Sequence, residues 1–162
     1  MHFDILATFL GWVLEQPLSQ LVPHGVYDYG PISSLVLYRN EMLQAELFLI
    51  APGAGFAEEH RHPDVDSYEV HVWGDICLTV NGAESVPQAI SRADGSLCYI
   101  THVGPTDWHG ARPIPGGGAF LSVQRWLHGV VPTSVGLNWE GTPTSPGHAV
   151  LLAQQDQDAE GV

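Results

Sequence analysis

Glycine and proline interrupt this chain at short intervals, which limits the elements that it can form. The 162 residues include 18 glycines and 12 prolines, and the segments between them are short and rich in Val, Ile, Leu, Tyr and Phe. Short strands between turn residues are typical of an all-β sandwich or barrel. The length suits one domain with a hydrophobic core. We place that domain at residues 1–153 and expect the acidic tail, 154–162, to be disordered.

One helix is predicted, near the N-terminus. Four apolar residues recur there at helical spacing: Leu6, Phe9, Leu10 and Val13. Asp4 is placed to cap this helix, and Pro17 ends it. We expect the helix to pack on the outside of a barrel.

Six segments are predicted to be strands. They cover residues 34–38, 45–51, 67–73, 76–80, 97–101 and 119–126. Asn81-Gly82 follows the fourth segment and is a strong signal for a hairpin turn.

The charge balance argues against several classes of partner. Acidic residues number 18 against five basic ones, and the formal net charge is −13. All five basic residues are arginines. Nucleic acids and anionic membranes are bound through clustered basic residues, so we expect neither as a partner. Schiff-base chemistry and phosphate-binding P-loops need a lysine, which the chain lacks.

Location is inferred from the same composition. Cys77 and Cys98 are too few for a disulfide framework, and two separate thiols suit a reducing compartment. No apolar run approaches the roughly 20 residues of a membrane span, and the N-terminus lacks the features of a signal peptide. We therefore expect a cytoplasmic protein.

Histidine is the unusual enrichment, with nine in the chain. His60 and His62 are two residues apart, and in a strand such residues share a face. Neutral imidazoles on one face can bind one metal ion. His109 lies far downstream and joins them only if its strand is a neighbour in the barrel. These three residues are our candidate metal ligands.

The order of these features resembles the cupin superfamily. His60 and His62 match the His-x-His of its first motif, Gly74 to Gly82 matches the hairpin that follows, and His109 matches the late histidine of its second motif. The resemblance covers about residues 45–126. It implies a double-stranded β-helix, the cupin-type jelly-roll barrel, with a metal held inside.

One motif position departs from the family pattern. Ser67 stands where the resemblance places a glutamate ligand. Glu69 lies on the same face of the strand as Ser67. It becomes the fourth ligand if a bulge shifts the register, and otherwise it is a cavity carboxylate. His71, on that face too, is a cavity residue. Either Glu69 or His71 is a candidate general base. Asp64 and Asp66 are weaker ligand candidates.

Large aromatic and basic residues have two interpretations each. We expect Trp73, Trp108 and Trp126 in the core, and the alternative is that Trp73 and Trp108 wall an aromatic substrate pocket. We expect Arg112 and Arg125 to pair with carboxylates, and the alternative is that one holds a substrate carboxylate.

The resemblance and the histidines together predict a metal-binding protein that acts on a small molecule. The metal is Fe, Mn, Ni, Cu or Zn, and the activity is that of an oxygenase, such as a dioxygenase, or an isomerase. The alternative is a non-catalytic cupin that binds a metal or small ligand as a sensor or structural module. A metal-free sugar-nucleotide epimerase is least favoured, because two phosphates need basic residues. We expect a homodimer that covers exposed strand edges.

Overall fold

A computed structural model describes residues 4–17, 20–21, 23–28, 32–53, 57–74, 76–111, 115–127, 135–137 and 143–144. These residues contain one helix, α1 (Ile5–Glu15), and thirteen strands. The strands are β1 (Gly25–Asp28), β2 (Ile32–Arg39), β3 (Leu43–Ile50), β4 (Ala57–Arg61), β5 (Val65–Gly74), β6 (Leu78–Val80), β7 (Ala83–Glu84), β8 (Gln88–Ser91), β9 (Leu97–Val103), β10 (His109–Ala111), β11 (Gly118–Trp126), β12 (Val135–Leu137) and β13 (Pro143–Thr144). The predicted all-β class with a short N-terminal helix is confirmed.

The strands form two sheets in which every pair is antiparallel. The larger sheet has the order β1-β2-β3-β11-β5-β9-β8, and the smaller has the order β13-β12-β4-β10-β6-β7. The central strand β11 pairs with β3 along eight positions and with β5 along nine, so these three strands form the middle of the larger sheet. No helix in the described part of the chain is long and apolar enough to cross a membrane.

Helix α1 forms where the sequence predicts it. The Asp4 carboxylate accepts a hydrogen bond from the Ala7 N–H at 3.0 Å, which caps the helix as expected. All four residues of the predicted apolar face are buried. They pack in one cluster with Leu121 and Val123 of β11, so the helix covers the outer face of the larger sheet.

All six predicted strand segments contain a strand, and most of these strands are longer than predicted. The segment 76–80 is the exception, since its strand starts only at Leu78. The predicted Asn81-Gly82 turn joins β6 to β7, and both residues have the positive φ that this turn requires, 50° and 77°. The strands that the sequence pattern missed are short or lie at sheet edges, where alternation of apolar and polar residues is weak.

The tryptophans do not share one environment. Trp126 is buried as predicted, and Trp108 is half-buried with the Arg61 guanidinium 5.1 Å from its ring centroid. The core prediction is wrong for Trp73, which is 55% exposed. The reason is that β9 pairs with β5 only as far as Val70, so among the described strands only β11 pairs with the end of β5.

The two faces of β11 show where the barrel interior lies. Leu121 and Val123 face helix α1, so the alternate residues, Phe120 and Ser122, face the other way. On that side Phe120 packs against a cluster that joins both sheets: Ile50, Ile76, Leu78 and Ala111. The space between the sheets is therefore the interior. The predicted tail, 154–162, and part of the predicted domain lie outside the described residues.

Candidate metal centre

Two paired strands bring the three candidate histidines together. His60 lies on β4, His62 follows the end of that strand, and His109 begins β10. β4 and β10 are antiparallel, with His109 directly opposite His60. The strand of His109 is therefore a neighbour of β4, which is the condition for His109 to join the other two histidines. His109 also shares a face of β10 with Ala111, whose side chain lies in the interior cluster.

The three imidazoles form a compact cluster. Their potential ligand nitrogens all lie within 4.8 Å of one another, and each ring is half-buried. The ring centroids of His60 and His109 are 4.4 Å apart, those of His60 and His62 are 4.9 Å apart, and those of His62 and His109 are 5.3 Å apart. Metal–nitrogen bonds of about 2.1 Å place ligand nitrogens roughly 3 to 3.5 Å apart. The three imidazoles are a donor set of the kind that holds a transition metal, and their nitrogens lie within 4.8 Å of one another.

A network of hydrogen bonds positions His109, and sequence reasoning missed it. The Nδ1 atom of His109 lies 3.2 Å from the Asp107 carbonyl oxygen. The Asp107 carboxylate accepts from Asn81 Nδ2 and from the Gly104 N–H, both at 2.8 Å. Asn81 Oδ1 in turn accepts from the Trp108 N–H at 3.0 Å. We call this network the Asn81–Asp107 clamp. Its signal in the sequence is the Asn-Gly turn, whose asparagine side chain can both donate and accept hydrogen bonds.

Charge within the clamp is stabilised locally. The hydrogen bond from Asn81, followed by that from the Gly104 N–H, lowers the pKa of Asp107 below its ordinary value. The carboxylate is therefore ionised and fixed beside His109. An imidazole whose Nδ1 is engaged by a carbonyl presents Nε2 to a metal, an arrangement that fixes the tautomer of many ligand histidines.

The opposite wall of the interior carries the other predicted site residues. Ser67, Glu69 and His71 lie on one face of β5, as alternation predicted, and they pair with the inward-facing Gln124, Ser122 and Phe120 of β11. These interior residues fall into two groups. The histidine wall consists of His60, His62 and His109. The carboxyl wall consists of the inward-facing residues Glu46, Glu69, His71, Phe120 and Ser122.

Glu69 is a deeply buried carboxyl group outside the histidine cluster. Its Oε1 accepts hydrogen bonds from Ser67 and Ser122, both at 2.9 Å. Its Oε2 is buried and has no hydrogen-bond partner among the described residues. Burial raises the pKa of Glu69 to about 7, although the two serine hydroxyls oppose that change and the charge of Glu46 adds to it. The role of Glu69 as a fourth metal ligand stays a prediction.

Glu46 is a second buried carboxyl group that sequence reasoning missed. It lies on β3. Ser122 of the central strand β11 pairs with Glu46 on one side and with Glu69 on the other. Its oxygens accept from Ser34 at 2.6 Å and from Gln44 at 2.9 Å. Burial raises the pKa of Glu46. A glutamate inside a run of apolar residues, as in 45–51, is the signal that could have found it.

His71 lies beside an aromatic pair. Its pKa is lowered by burial, so its ring is neutral at pH 7, and its Nε2 is buried with no partner among the described residues. Phe120 is its partner on β11, and the rings of Phe48 and Phe120 stack with centroids 4.9 Å apart.

The remaining candidates lie away from this interior. Asp66 pairs with His102 at 2.6 Å near the surface, and neither Asp64 nor Asp66 is part of the histidine cluster. Arg125 shares a face of β11 with Val123, which faces α1. Arg112 lies outside the described residues.

Comparison with known proteins identifies the architecture. No protein-family model matches the chain, and no curated protein sequence matches it. An RmlC-like cupin from Shewanella frigidimarina is 22% identical, with a TM-score of 0.52, and the match covers 70% of this chain and 90% of that one. TT1209 from Thermus thermophilus is 16% identical, with a TM-score of 0.50, and the match covers 68% of this chain and 95% of that one. At these identities the likeness is one of fold.

Proposed function

This chain has the cupin fold, and we propose that it binds a divalent transition metal through His60, His62 and His109. The observation that carries the proposal is the compact cluster of their three imidazoles, whose ligand nitrogens lie within 4.8 Å of one another. Neutral nitrogen donors suit Fe, Mn, Ni, Cu and Zn. Three protein ligands leave open positions, so the site is suited to act on a small organic molecule.

The activity we propose is that of an oxygenase or an isomerase. When bound, the metal supplies a Lewis acid or a position for dioxygen. Glu69 and His71 are the acid–base candidates on the facing wall. A carboxyl group with a pKa of about 7 exchanges a proton readily at neutral pH, and the neutral ring of His71 can accept one.

One observation favours the alternative, a non-catalytic cupin that binds a metal or a small ligand. Ser67 occupies the position where the resemblance places a ligand carboxylate, and its hydroxyl donates to Glu69. A site without that carboxylate can serve as a sensor or structural module. Oxygen uptake with a panel of phenols and keto acids tests for an oxygenase, and chromatography of the same mixtures for a rearranged product tests for an isomerase; a non-catalytic protein gives neither.

Metal analysis tests the proposed site directly. Protein purified without a histidine tag should contain about one transition-metal ion per chain, and the double variant His60→Ala/His62→Ala should contain almost none. The matched control is His24→Ala/His102→Ala, which removes two histidines outside the cluster and should keep the metal. Equal metal content in both double variants would contradict the site. A Glu69→Gln variant with unchanged metal affinity removes Glu69 from the ligand set.

Assembly and location are finer parts of the proposal. We propose a homodimer, supported by the edge strand β8 and by apolar side chains exposed near it: Val86, Leu97 and Tyr99. Light scattering on the purified protein measures the mass. We propose the cytoplasm as location, supported by Cys98, which is a free thiol buried in the core.

A further inference from the structure

We infer that the interior takes an uncharged aromatic ligand with a hydroxyl group, a phenol, whose hydroxyl hydrogen-bonds with Glu69 and His71. This inference rests on the proposed function in one respect, because it names the class of small molecule that the same interior receives. It concerns the carboxyl wall, and the histidine wall takes no part in the steps below.

Two unsatisfied polar atoms define the place of the hydroxyl. Glu69 Oε2 and His71 Nε2 are both buried and have no hydrogen-bond partner among the described residues. The two side chains are two residues apart on the same face of β5, so both face the interior. Buried polar atoms are almost always hydrogen-bonded in folded proteins, to protein, water or ligand. A hydroxyl group both donates and accepts, so one hydroxyl can satisfy both atoms.

Burial along the wall shows where a ligand enters. Phe48, Phe120 and His71 face the interior and are only half-buried, whereas Glu69 and Ser122 are fully buried. An inward-facing side chain that keeps contact with solvent borders an opening. The interior is therefore open beside the phenylalanines and closed at the level of Glu69. A ligand that enters past the phenylalanines meets His71 first and lies with its polar end toward Glu69.

The body of the ligand lies against the aromatic pair. Phe48 and Phe120 stack with an interplanar angle of 16°, and Phe120 lies next to His71 in the strand register. Flat apolar rings of this kind favour an aromatic partner in an offset or edge-on arrangement. A ring that carries one hydroxyl therefore complements both the phenylalanine pair and the polar atoms of Glu69 and His71.

Charge on the wall disfavours an anion. Glu46 and Glu69 are both carboxyl groups, and Glu69 ionises near neutral pH.

The described arginines lie elsewhere. Arg61 lies against Trp108, Arg125 lies on the α1 face and Arg92 donates to the Leu14 carbonyl oxygen of α1. Arg39 Nε donates a hydrogen bond to Gln44, and Glu46 lies between that residue and His71. A carboxylate placed at His71 lies beside two carboxyl groups and beside none of the described guanidinium groups, so the ligand is uncharged.

Binding of phenol to the metal-free protein tests the inference. Phenol, toluene and benzoate share a ring and differ in the polar group, so calorimetry with all three separates ring from hydroxyl and from charge. We expect phenol to bind at least about threefold more tightly than either of the others, the effect of one net hydrogen bond. Glu69→Leu and His71→Phe should each weaken phenol binding about threefold to tenfold and leave toluene unchanged.

Asp66→Asn is the matched control for these variants. It changes a carboxyl group on the same strand β5 but on the outer face, where it pairs with His102, so phenol binding should stay within about twofold of the wild type. Equal binding of phenol and toluene, tighter binding of benzoate, or no binding of phenol overturns the inference. If Glu69→Leu does not fold, His71→Phe alone decides, and unchanged phenol affinity in that variant overturns the role of the hydroxyl.

Metal uptake, measured separately on the same samples, keeps this inference apart from the proposed function. Zinc binding without phenol binding overturns the ligand class and leaves the metal site standing. Phenol binding without zinc uptake supports the ligand class and contradicts the metal site.

Discussion

The two walls of the interior hold titratable groups in opposite ways. The histidine wall lies at the ends of short strands in the smaller sheet, and its three rings are half-buried and held partly by turns. The carboxyl wall lies on the long central strands of the larger sheet, and its two glutamates are almost fully buried. Solvent contact keeps the histidines available to a metal ion. Burial instead raises the pKa of both glutamates and so favours their neutral, protonated forms.

Neighbouring strands explain the difference. Glu46 and Glu69 lie on β3 and β5, on either side of β11, and each of these strands has paired neighbours on both sides there. His60 and His109 lie where only a few residues of each strand pair, so the backbone there depends on side-chain hydrogen bonds such as the Asn81–Asp107 clamp. We therefore expect stability to depend on pH mainly through the carboxyl wall, and metal affinity to depend on the turns.

The largest predicted effect is the pH dependence of stability due to Glu69. Its folded-state pKa of about 7 lies above the ordinary value of 4.5, so the folded protein binds more protons than the unfolded chain between these values. Its contribution to stability is fully present below about pH 4.5 and is lost as pH rises through about 7. The loss is about 3 kcal/mol for this fully buried group. Urea denaturation of metal-free protein from pH 4.5 to 8 measures it.

Glu69→Gln sharpens this prediction. The variant cannot ionise at this position, so its free energy of unfolding should fall less steeply across the same pH range and exceed that of the wild type at pH 8. Glu46→Gln should show the same direction, because burial also raises the pKa of Glu46. Parallel pH profiles for wild type and Glu69→Gln would mean that Glu69 is solvated, and the contrast between the walls would fail.

The second prediction concerns the histidine wall. Zinc should raise the melting temperature of the wild type, and the rise should grow with zinc concentration. At 100 times the Kd, binding adds about 2.7 kcal/mol to the free energy of unfolding. His60→Ala should abolish most of this increase and have little effect on metal-free stability, since the ring is half-buried. Scanning fluorimetry over a zinc titration, with Glu46→Gln as the control, measures both. A zinc response that persists in His60→Ala contradicts the cluster.

The third prediction tests whether the clamp supports the metal site. Asn81→Gly keeps the positive φ of 50° and removes the hydrogen bonds to Asp107 and from Trp108. We expect a loss of about 1 to 2 kcal/mol in stability and about a tenfold loss in zinc affinity, typical of residues that orient ligand histidines. Calorimetric zinc titration gives the affinity.

Ser85→Ala is the control for Asn81→Gly. It removes one hydrogen bond, from Ser85 Oγ to Thr101 Oγ1 at 3.1 Å, away from the histidines. The stability of this variant should fall and its zinc affinity should not. Equal losses of zinc affinity in both variants would show that metal binding follows general stability and that the clamp has no specific role.

The sequence predicts the two walls to different extents. His60 and His62 could be predicted as candidates from their spacing, and His109 from the resemblance to cupins. The apolar face of helix α1 could be predicted because its period is regular. The glutamate row across β3, β11 and β5 could not be predicted, because it depends on the register between strands far apart in the chain. The exposure of Trp73 depends on the point at which β9 stops pairing, which no local pattern reveals.

The smallest predicted effect lies outside both walls. The Asp66 carboxylate lies within hydrogen-bond distance of His102 Nε2, at 2.6 Å, and 29% and 54% of the two side chains are exposed. Exposed pairs of this kind contribute about 0.2 to 1 kcal/mol, so Asp66→Asn should lower stability by no more than that and leave zinc and phenol affinities unchanged. Urea denaturation and the two titrations measure these quantities. A loss of zinc affinity in Asp66→Asn would extend the metal site to the outer face of β5, and the division of function between two interior walls would then be wrong.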